Sequence, residues 1–364
     1  MKLRSLVEAW NSFYFSPKSP VPISLFRILY GGLVIATLVL LRPDWLSWYG
    51  TRAWISLSTM HQIEPGVRLN VFTIIPQNDR WVEALFWVFL GSALFLMIGF
   101  FTRLNSVIVF LCLTSIHQRN LYITHGGDTF LRVAGFFLMF APACAALSVD
   151  RLIRILRGKE DAAIRQFSPW AQRMIQLELS ILYFATFCWK AQGTPWVEGT
   201  ALYYVYHLEE LRRFPVPSWL LHPILLRLGS WFALLLEFSL GVLIWIKDFR
   251  YYILAAGLLF HVSIEYSLNI PLFEWDVLSG YILFVDEADL TRIWNRITRV
   301  VRRRIIIRPV TVLYDGQSTP SRQFANLLSA LDIFRFLCFT DVQTRKTQVS
   351  DAAGKSAAPG RSMA

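Results

Sequence analysis

Lys190 is the residue of this chain whose type and position are best suited to chemistry. It ends an apolar stretch and is followed by a segment that contains glycine, proline and Trp196. A lysine at the edge of a bilayer usually keeps its stem in lipid and its ammonium among the headgroups. An amine held in a poorly hydrated pocket instead gives up its proton more readily and can act as a base. The choice between these two roles decides whether the chain is an enzyme.

Two further ionisable residues lie inside apolar segments. Glu237 is eight residues from the predicted outer start of its helix, a depth of about 12 Å at 1.5 Å per residue. His261 is eleven residues from Arg250 and lies near the middle of its segment. An ionisable group within a membrane span is costly and is therefore a candidate for function. A structural pairing across helices would explain Glu237 equally well, and a hydrogen-bonded core residue is the simpler interpretation of His261 alone.

A third set of polar residues falls at the predicted outer ends of helices and contains Asn120, His125 and Asp128. Together with Glu237 and Trp196, they predict a pocket around the lysine that opens outward. The His-Gly-Gly-Asp sequence that begins at His125 would also suit a plain turn. The sequence has no Cys/His spacing typical of a metal site, no phosphate-binding glycine loop and no serine-nucleophile motif. No metal is therefore expected.

The composition indicates that the elements carrying these residues cross a membrane. The chain of 364 residues is 55% hydrophobic and contains 14 Trp and 28 Phe, more than a soluble domain of this size needs. A bilayer core about 30 Å thick requires roughly 20 apolar residues per helix. The segments predicted to span it are 23–41, 82–101, 104–118, 131–149, 174–190, 229–246, 251–270 and, more weakly, 271–285. The sequence thus predicts an all-α polytopic membrane protein with about eight transmembrane helices.

Basic residues set the predicted orientation. With the N-terminus inside, the inner segments carry 19 Lys and Arg and the outer segments carry 8. Because excess positive charge marks the cytoplasmic side, both termini are predicted to be cytoplasmic. Arg27 and Glu178 lie near the predicted inner boundary and are interpreted as inner-leaflet anchors. The formal charge of +11 is concentrated beside apolar segments, which favours anionic lipids over nucleic acid as the partner.

The chain is predicted to have five parts. They are an N-terminal cytoplasmic or interfacial segment (1–22), a transmembrane domain (23–286), a basic amphipathic helix (287–304), a short cytoplasmic βαβ-like remnant (305–342) and a disordered tail (343–364). In the amphipathic helix, apolar residues and arginines fall on different faces. This spacing predicts a helix on the inner leaflet that binds anionic lipids through residues 288–304.

Several short motifs occur in an order that resembles a known membrane domain. They are Leu25–Gly31, Gly99–Arg103, Arg119-Asn120, His125–Asp128, Tyr183–Lys190, Trp196–Gly199, Phe260-His261 and Phe273–Trp275. In this order they resemble the horizontally transferred transmembrane (HTTM) domain, the membrane unit of vitamin K-dependent gamma-carboxylases and many bacterial relatives. The resemblance covers roughly residues 15–290.

The resemblance implies an enzyme that uses a quinol. In the carboxylases, a lysine deprotonates vitamin K hydroquinone on the outer side, and reaction with oxygen then gives a strong base that removes a proton from the glutamate to be carboxylated. Lys190 matches this lysine, His261 matches the histidine of a late helix, and His125 falls near a polar position. A gamma-carboxylase-like lyase or oxidoreductase is thus expected, with a quinol or vitamin K-like lipid as its cofactor.

Two other functions remain open at this point. Some HTTM-domain proteins act without catalysis in toxin maturation or immunity, and an outward cavity with Glu237 would also suit a small-molecule transporter. The carboxylases carry a large lumenal domain after their spans, and the residues after 286 do not resemble it. Capture of a glutamate-rich protein is therefore not expected.

The segment after the amphipathic helix has a resemblance of its own. Its sequence Tyr314-Asp315-Gly316 is similar to the start of the DCC family of thiol-disulfide oxidoreductases, in which two cysteines follow. Ser318 and Ser321 occupy both cysteine positions. A hydroxyl forms neither a disulfide nor the thiolate that exchange requires, so this motif is predicted to be degenerate and inactive.

Overall fold

The chain forms two compact units. The computed structural model describes residues 3–63, 66, 69–305, 310–332 and 334–342. The first unit consists of residues 1–147 and 166–285, and the second of residues 148–165 and 286–364. The predicted disordered tail, residues 343–364, lies outside the described residues.

The described part of the first unit is built from helices. They are α1 (Leu3–Phe15), α2 (Val21–Leu41), α3 (Trp45–Tyr49), α4 (Leu57–Ile63), α5 (Asp79–Ile98), α6 (Thr102–Arg119), α7 (Gly126–Leu138), α9 (Trp170–Ala191), α10 (Thr194–Val197), α11 (Ala201–Tyr206), α12 (Pro223–Gly241), α13 (Lys247–Ser267) and α14 (Phe273–Ser279). Local sequence fixes several ends. The side chain of Asn78 accepts a hydrogen bond from the Arg80 N–H and so caps the start of α5. The helix ends at Ile98 and is followed by Gly99, in the left-handed conformation that glycine favours.

Among the described residues, three helical segments are long and apolar enough to cross a membrane. They are Val21–Tyr49, Asp79–Ile98 and Pro223–Gly241. Helices α6, α9 and α13 have comparable lengths of 18, 22 and 21 residues, but their sequences are more polar. Helices α7 and α14 have 13 and 7 residues, which is too short to cross a bilayer alone. The protein is thus a mostly helical membrane protein.

Glycine allows two pairs of long helices to approach closely. A Cβ atom on Gly31 of α2 would lie 2.8 Å from the Met97 Cβ of α5. A Cβ on Gly241 of α12 would lie 2.9 Å from the Phe184 Cβ of α9. Small residues at such crossings let helix backbones pack tightly where the hydrophobic effect gives little driving force. The second contact brings together the helices that carry Lys190 and Glu237.

Arg27 holds the segment after α7 against α2. Its side chain is fully buried and donates hydrogen bonds to the carbonyl oxygens of Ala143, at 3.1 Å, and Leu147, at 2.5 Å. The hydroxyl of Ser24 donates to the same Ala143 oxygen at 3.1 Å. One carboxylate oxygen of Glu178 is also buried. The interpretation of Arg27 as an inner-leaflet anchor is therefore wrong, because its side chain turns into the protein. The Glu178 side chain is half-buried, and its interpretation as an anchor stays a prediction.

The second unit combines helices with a small parallel sheet. Its elements are α8 (Val149–Leu156), α15 (Glu287–Ile305), β1 (Val310–Tyr314), α16 (Thr319–Leu331) and β2 (Leu337–Asp341). The two strands pair in parallel, from Val310 opposite Leu337 to Tyr314 opposite Asp341. The connecting helix α16 packs on α8. Residues 148–165, which the sequence places within the transmembrane domain, thus belong to this unit.

Replacing Arg27 tests the importance of its buried hydrogen bonds. Arg27→Met keeps a long apolar stem but leaves the Ala143 and Leu147 carbonyls without their charged donor. We expect a loss of about 2–4 kcal/mol in the free energy of unfolding, measured in detergent micelles. Arg103→Met, at an exposed arginine of α6, serves as the control and should change stability by less than about 0.5 kcal/mol. Equal effects of the two substitutions would contradict a structural role for Arg27.

Candidate functional site

Lys190 points into the helical bundle and pairs with a buried carboxylate. It lies in the last turn of α9, and its Nζ donates to Oε1 of Glu237 on the neighbouring helix α12. The Lys190 side chain is 29% exposed and that of Glu237 is 5% exposed. An anchor would extend its ammonium away from the bundle, whereas this ammonium is held between two helices.

Trp196 covers the same ammonium. The Lys190 Nζ lies 4.7 Å from the centroid of the Trp196 ring, a distance at which a cation is attracted to an aromatic face. The chain turns back at Gly193, and the short helix α10 begins with a proline in its first turn. A Cβ on Gly193 would lie 3.3 Å from both the Lys190 carbonyl and the Trp196 ring. The turn after α9 thus favours a small residue where the indole packs over the lysine.

One carboxylate oxygen of Glu237 is free to accept a hydrogen bond. Its Oε2 is buried and has no partner among the residues that the structure describes. An unsatisfied oxygen in a buried carboxylate is costly. The Lys190–Glu237 pair can therefore still accept a hydrogen bond from a hydroxyl brought to it by a ligand.

A second cluster forms a continuous chain of polar groups inside the bundle. Nδ1 of His261 on α13 contacts Oε2 of Glu274 on α14. Nε2 of His261 lies 2.5 Å from the hydroxyl of Tyr183, which lies 2.8 Å from the hydroxyl of Tyr281. All four residues are buried. When the Nδ1–H of His261 donates to the Glu274 carboxylate, Nε2 is left as an acceptor for the Tyr183 hydroxyl proton. This arrangement is suited to proton transfer.

The first and second clusters share one face of α9. Tyr183 and Lys190 are seven residues, or about two turns, apart, so they lie on the same side at a separation of about 10 Å along the axis. Lys190 and His261, the two predicted catalytic residues, therefore belong to different clusters. Helix α9 connects them through Tyr183.

A third cluster surrounds the start of α7. Nδ1 of His125 accepts from the Asp128 N–H at 3.3 Å, and Oδ2 of Asp128 accepts from the His125 N–H at 2.9 Å. This is a capping box, so the turn that the sequence suggested at His125 is also present. Nε2 of His117 lies 3.5 Å from Oδ1 of Asp128. A Cβ on Gly127 would lie 2.9 Å from the carboxylate of Asp276, which reaches the cluster from α14.

The third cluster lines a cavity of about 260 Å³. Its polar lining includes His117, His125, Asp128 and Asp276. One ligand atom from each of His125, Asp128 and Asp276 lies within 4.8 Å of the other two, so these side chains could hold a metal ion. Sequence spacing gives no sign of this group because Asp276 is separated by about 150 residues from the other two.

The comparison with known families agrees with this architecture. The HTTM domain family matches residues 15–288, which include all three clusters. The chain belongs to the HTTM domain family. No curated protein and no solved structure gives a match to the chain. The resemblance predicted for residues 15–290 is thereby confirmed, whereas the DCC-like resemblance stays a prediction.

Two predicted groups of this HTTM protein have local structural roles. The Asn120 side chain accepts a hydrogen bond from the Tyr122 N–H and caps the turn that follows α6. It is buried but is not part of the cavity lining. In the second unit, the Ser321 hydroxyl accepts from the Asp315 N–H at 3.0 Å, and Ser318 precedes the first turn of α16. Ser321 thus links the first turn of α16 to the loop before it.

The acidic residues of α14 are functional candidates that the sequence did not predict. Glu274 and Asp276 weakened the predicted eighth span, and that weakness was the available signal for a polar site. Residues two apart on a helix point about 200° apart, so Glu274 reaches His261 while Asp276 reaches the start of α7. Both carboxylates are 1% exposed, and each has an oxygen without a hydrogen-bond partner among the described residues. The HTTM protein thus uses one short helix to serve two clusters.

A double-mutant cycle measures the coupling between Lys190 and Glu237. Lys190→Met leaves a buried carboxylate without its cation, and we expect a loss of about 2–4 kcal/mol in the free energy of unfolding. Adding Glu237→Gln should restore most of that loss because the remaining pair is neutral. Stability is measured by unfolding in mixed micelles, with Lys247→Met at an exposed position as the control. Strictly additive effects would show that the two side chains do not interact.

Proposed function

We propose that this HTTM protein is a membrane enzyme in which Lys190 acts as a general base on the hydroxyl of a quinol or vitamin K-like lipid. The observation that carries the proposal is the position of the Lys190 ammonium, which lies between the Glu237 carboxylate and the Trp196 ring. In a poorly hydrated bundle, a lysine and a carboxylate can pass their shared proton between them, and the form with a neutral amine can act as a base. The resemblance to the gamma-carboxylases supplies the substrate class.

Lys190 and Glu237 share one proton in the proposed mechanism. When Glu237 holds the proton, the amine of Lys190 has a free lone pair and accepts the proton of a substrate hydroxyl. The ammonium that results neutralises the negative charge on the substrate oxygen, and the face of Trp196 stabilises the ammonium. A quinol that has lost this proton would be able to react with oxygen, which is the step that carboxylase chemistry requires.

The chain from Glu274 to Tyr281 is proposed to move the second proton. Glu274 holds His261 in one tautomer, and His261 takes a proton from Tyr183. Tyr183 can then accept a proton from the hydroxyl of Tyr281, which lies 2.8 Å away. This role gives His261 its place in catalysis without direct contact to Lys190.

The proposed topology places this chemistry on the outer side of the membrane. In the proposed eight-span arrangement, the residues that follow the short helices α7 and α14 complete their crossings, and both termini lie in the cytoplasm. This arrangement would put Lys190 at the outer face of a bacterial cytoplasmic membrane, as the distribution of basic residues supports. The basic helix α15 would then contact the anionic lipids of the inner leaflet. Its exposed apolar residues Ile293, Ile297 and Val300 support that contact.

Quinol turnover tests the role of Lys190. In membranes that contain the wild-type protein, we expect a reduced quinone to be converted to its epoxide in the presence of oxygen and carbon dioxide. Lys190→Ala should lower this rate by at least about a hundredfold, the usual effect of removing a general base. Lys247→Ala is the matched control and should retain the rate. Equal turnover in Lys190→Ala would remove Lys190 from the mechanism, and absence of turnover in the wild type would favour a non-catalytic role.

Cysteine labelling tests the topology. Cys338 is exposed in the second unit, and Ile74 is exposed in the predicted outer segment 42–81. A membrane-impermeant maleimide added to whole spheroplasts should label Ile74→Cys but neither the native Cys338 nor Arg303→Cys. Permeabilised cells should label all three positions. Labelling of Arg303→Cys from outside would overturn the eight-span arrangement.

A further inference from the structure

The helix α15 carries a positive face whose charges have no carboxylate partner in the described part of the chain. Arg302 and Arg303 follow Arg299 by three and four residues, so the three side chains lie at neighbouring positions on one side of the helix. Among the residues that the structure describes, Arg292 pairs with Asp289 at 2.7 Å, but no carboxylate pairs with these three arginines. Like charges at such spacing repel each other and destabilise a helix. An anion bound between them would remove this repulsion.

A fourth arginine completes the group from a different element. Arg335 lies in the turn between α16 and β2 and lines the same cavity as the three arginines of α15. The turn is fixed in place, because the Asp332 carboxylate accepts hydrogen bonds from the N–H groups of Phe336 and Leu337 at 2.8 and 2.6 Å. Phe334 stacks on Trp294 of α15 with a centroid distance of 5.6 Å. The position of Arg335 thus follows from packing within the second unit.

The backbone of Arg335 is in a conformation that a side chain disfavours. Its φ angle is 54°, in the left-handed region where glycine is the usual residue. A non-glycine residue held there is often part of a functional site. Here it directs a guanidinium group toward the three arginines of α15.

The interior of the cavity offers neutral hydrogen-bonding groups. The cavity has a volume of about 340 Å³ and is lined by Asn295, Thr298 and the four arginines. Thr298 is 5% exposed, and its buried hydroxyl has no hydrogen-bond partner among the described residues. A threonine within a helix ordinarily bonds to the carbonyl one turn earlier. The unused hydroxyl and the Asn295 amide can therefore contact a ligand below the guanidinium groups.

We propose that these six residues form a binding site for an anion with two adjacent phosphate groups. Guanidinium groups match phosphate oxygens with paired hydrogen bonds, and four of them exceed what a single phosphate needs. A diphosphate offers enough oxygens for the four arginines and the Thr298 hydroxyl. The same chemistry occurs in the headgroup of a diphosphate-bearing lipid and in a soluble diphosphate. The site is independent of the chemistry proposed for Lys190.

Inorganic pyrophosphate is the first probe. It is titrated into the full-length protein in a neutral detergent, and binding is followed by calorimetry. We expect saturable binding that is at least about tenfold tighter than that of orthophosphate. Arg302→Gln should weaken pyrophosphate binding by about tenfold to a hundredfold. Arg296→Gln removes the same charge from an exposed position of α15 outside the cavity and should have less than about a threefold effect.

Two variants separate binding from folding. Arg335→Gly removes a guanidinium group and relieves the left-handed backbone, so the protein should fold at least as well while binding weakens by at least tenfold. Thr298→Val keeps the shape and charge of the site and should weaken binding several-fold. If Arg296→Gln and Arg302→Gln weaken binding equally, the effect is general electrostatic attraction and the proposal is wrong. Absence of pyrophosphate binding to the wild type would also overturn it.

A second arm distinguishes a lipid headgroup from a soluble ligand. The protein is placed in nanodiscs of phosphatidylcholine mixed either with a polyprenyl diphosphate lipid or with phosphatidylglycerol at equal total charge. Loss of pyrophosphate binding only in the diphosphate discs identifies a lipid headgroup as the occupant of the site. Equal binding in both kinds of disc assigns the site to a soluble diphosphate.

Discussion

The cost of burying ionisable side chains governs how the long helices of the first unit pair. Placing a charge in an apolar bundle is costly unless a partner lies close by. Glu237 has Lys190 from a different helix, His261 has Glu274, and Arg27 has backbone carbonyls that follow another helix. These contacts fix how the helices are placed along each other. The hydrophobic effect gives little specificity between helices in lipid, so polar pairs and close glycine contacts must supply it.

The same requirement explains why α14 is short. A continuous span at this point would be more stable in lipid, but it would have no place for two carboxylates. The seven-residue helix instead turns Glu274 toward α13 and Asp276 toward the start of α7. Each carboxylate keeps one oxygen without a protein partner among the described residues. The short length of α14 and its unsatisfied carboxylate oxygens both lower the stability of the fold. Such a loss is typical of functional sites.

Charge is arranged differently in the second unit. In the first unit the buried cations have anionic or carbonyl partners, whereas the arginines around Thr298 repel each other and share a cavity. An exposed guanidinium group tolerates this because water screens it. The positive field that results can attract an anion. Because Arg335 comes from a different element, this field does not arise from the arginines of α15 alone. Its position depends on a turn that packs on α15 through Phe334.

The sequence by itself determined the membrane class, the HTTM family and several of the side chains from which the site is built, among them Lys190, Glu237 and His261. Long apolar segments and ordered motifs are local properties, so they can be recognised in a short window, and Lys190 stood out in this way. The tertiary structure decided which groups meet. Lys190 and Glu237 are 47 residues apart, and His125 meets the Pro271 carbonyl across 146 residues. Such contacts follow from helix packing, which no local pattern encodes, and for this reason the candidate residues separated into three clusters rather than one pocket.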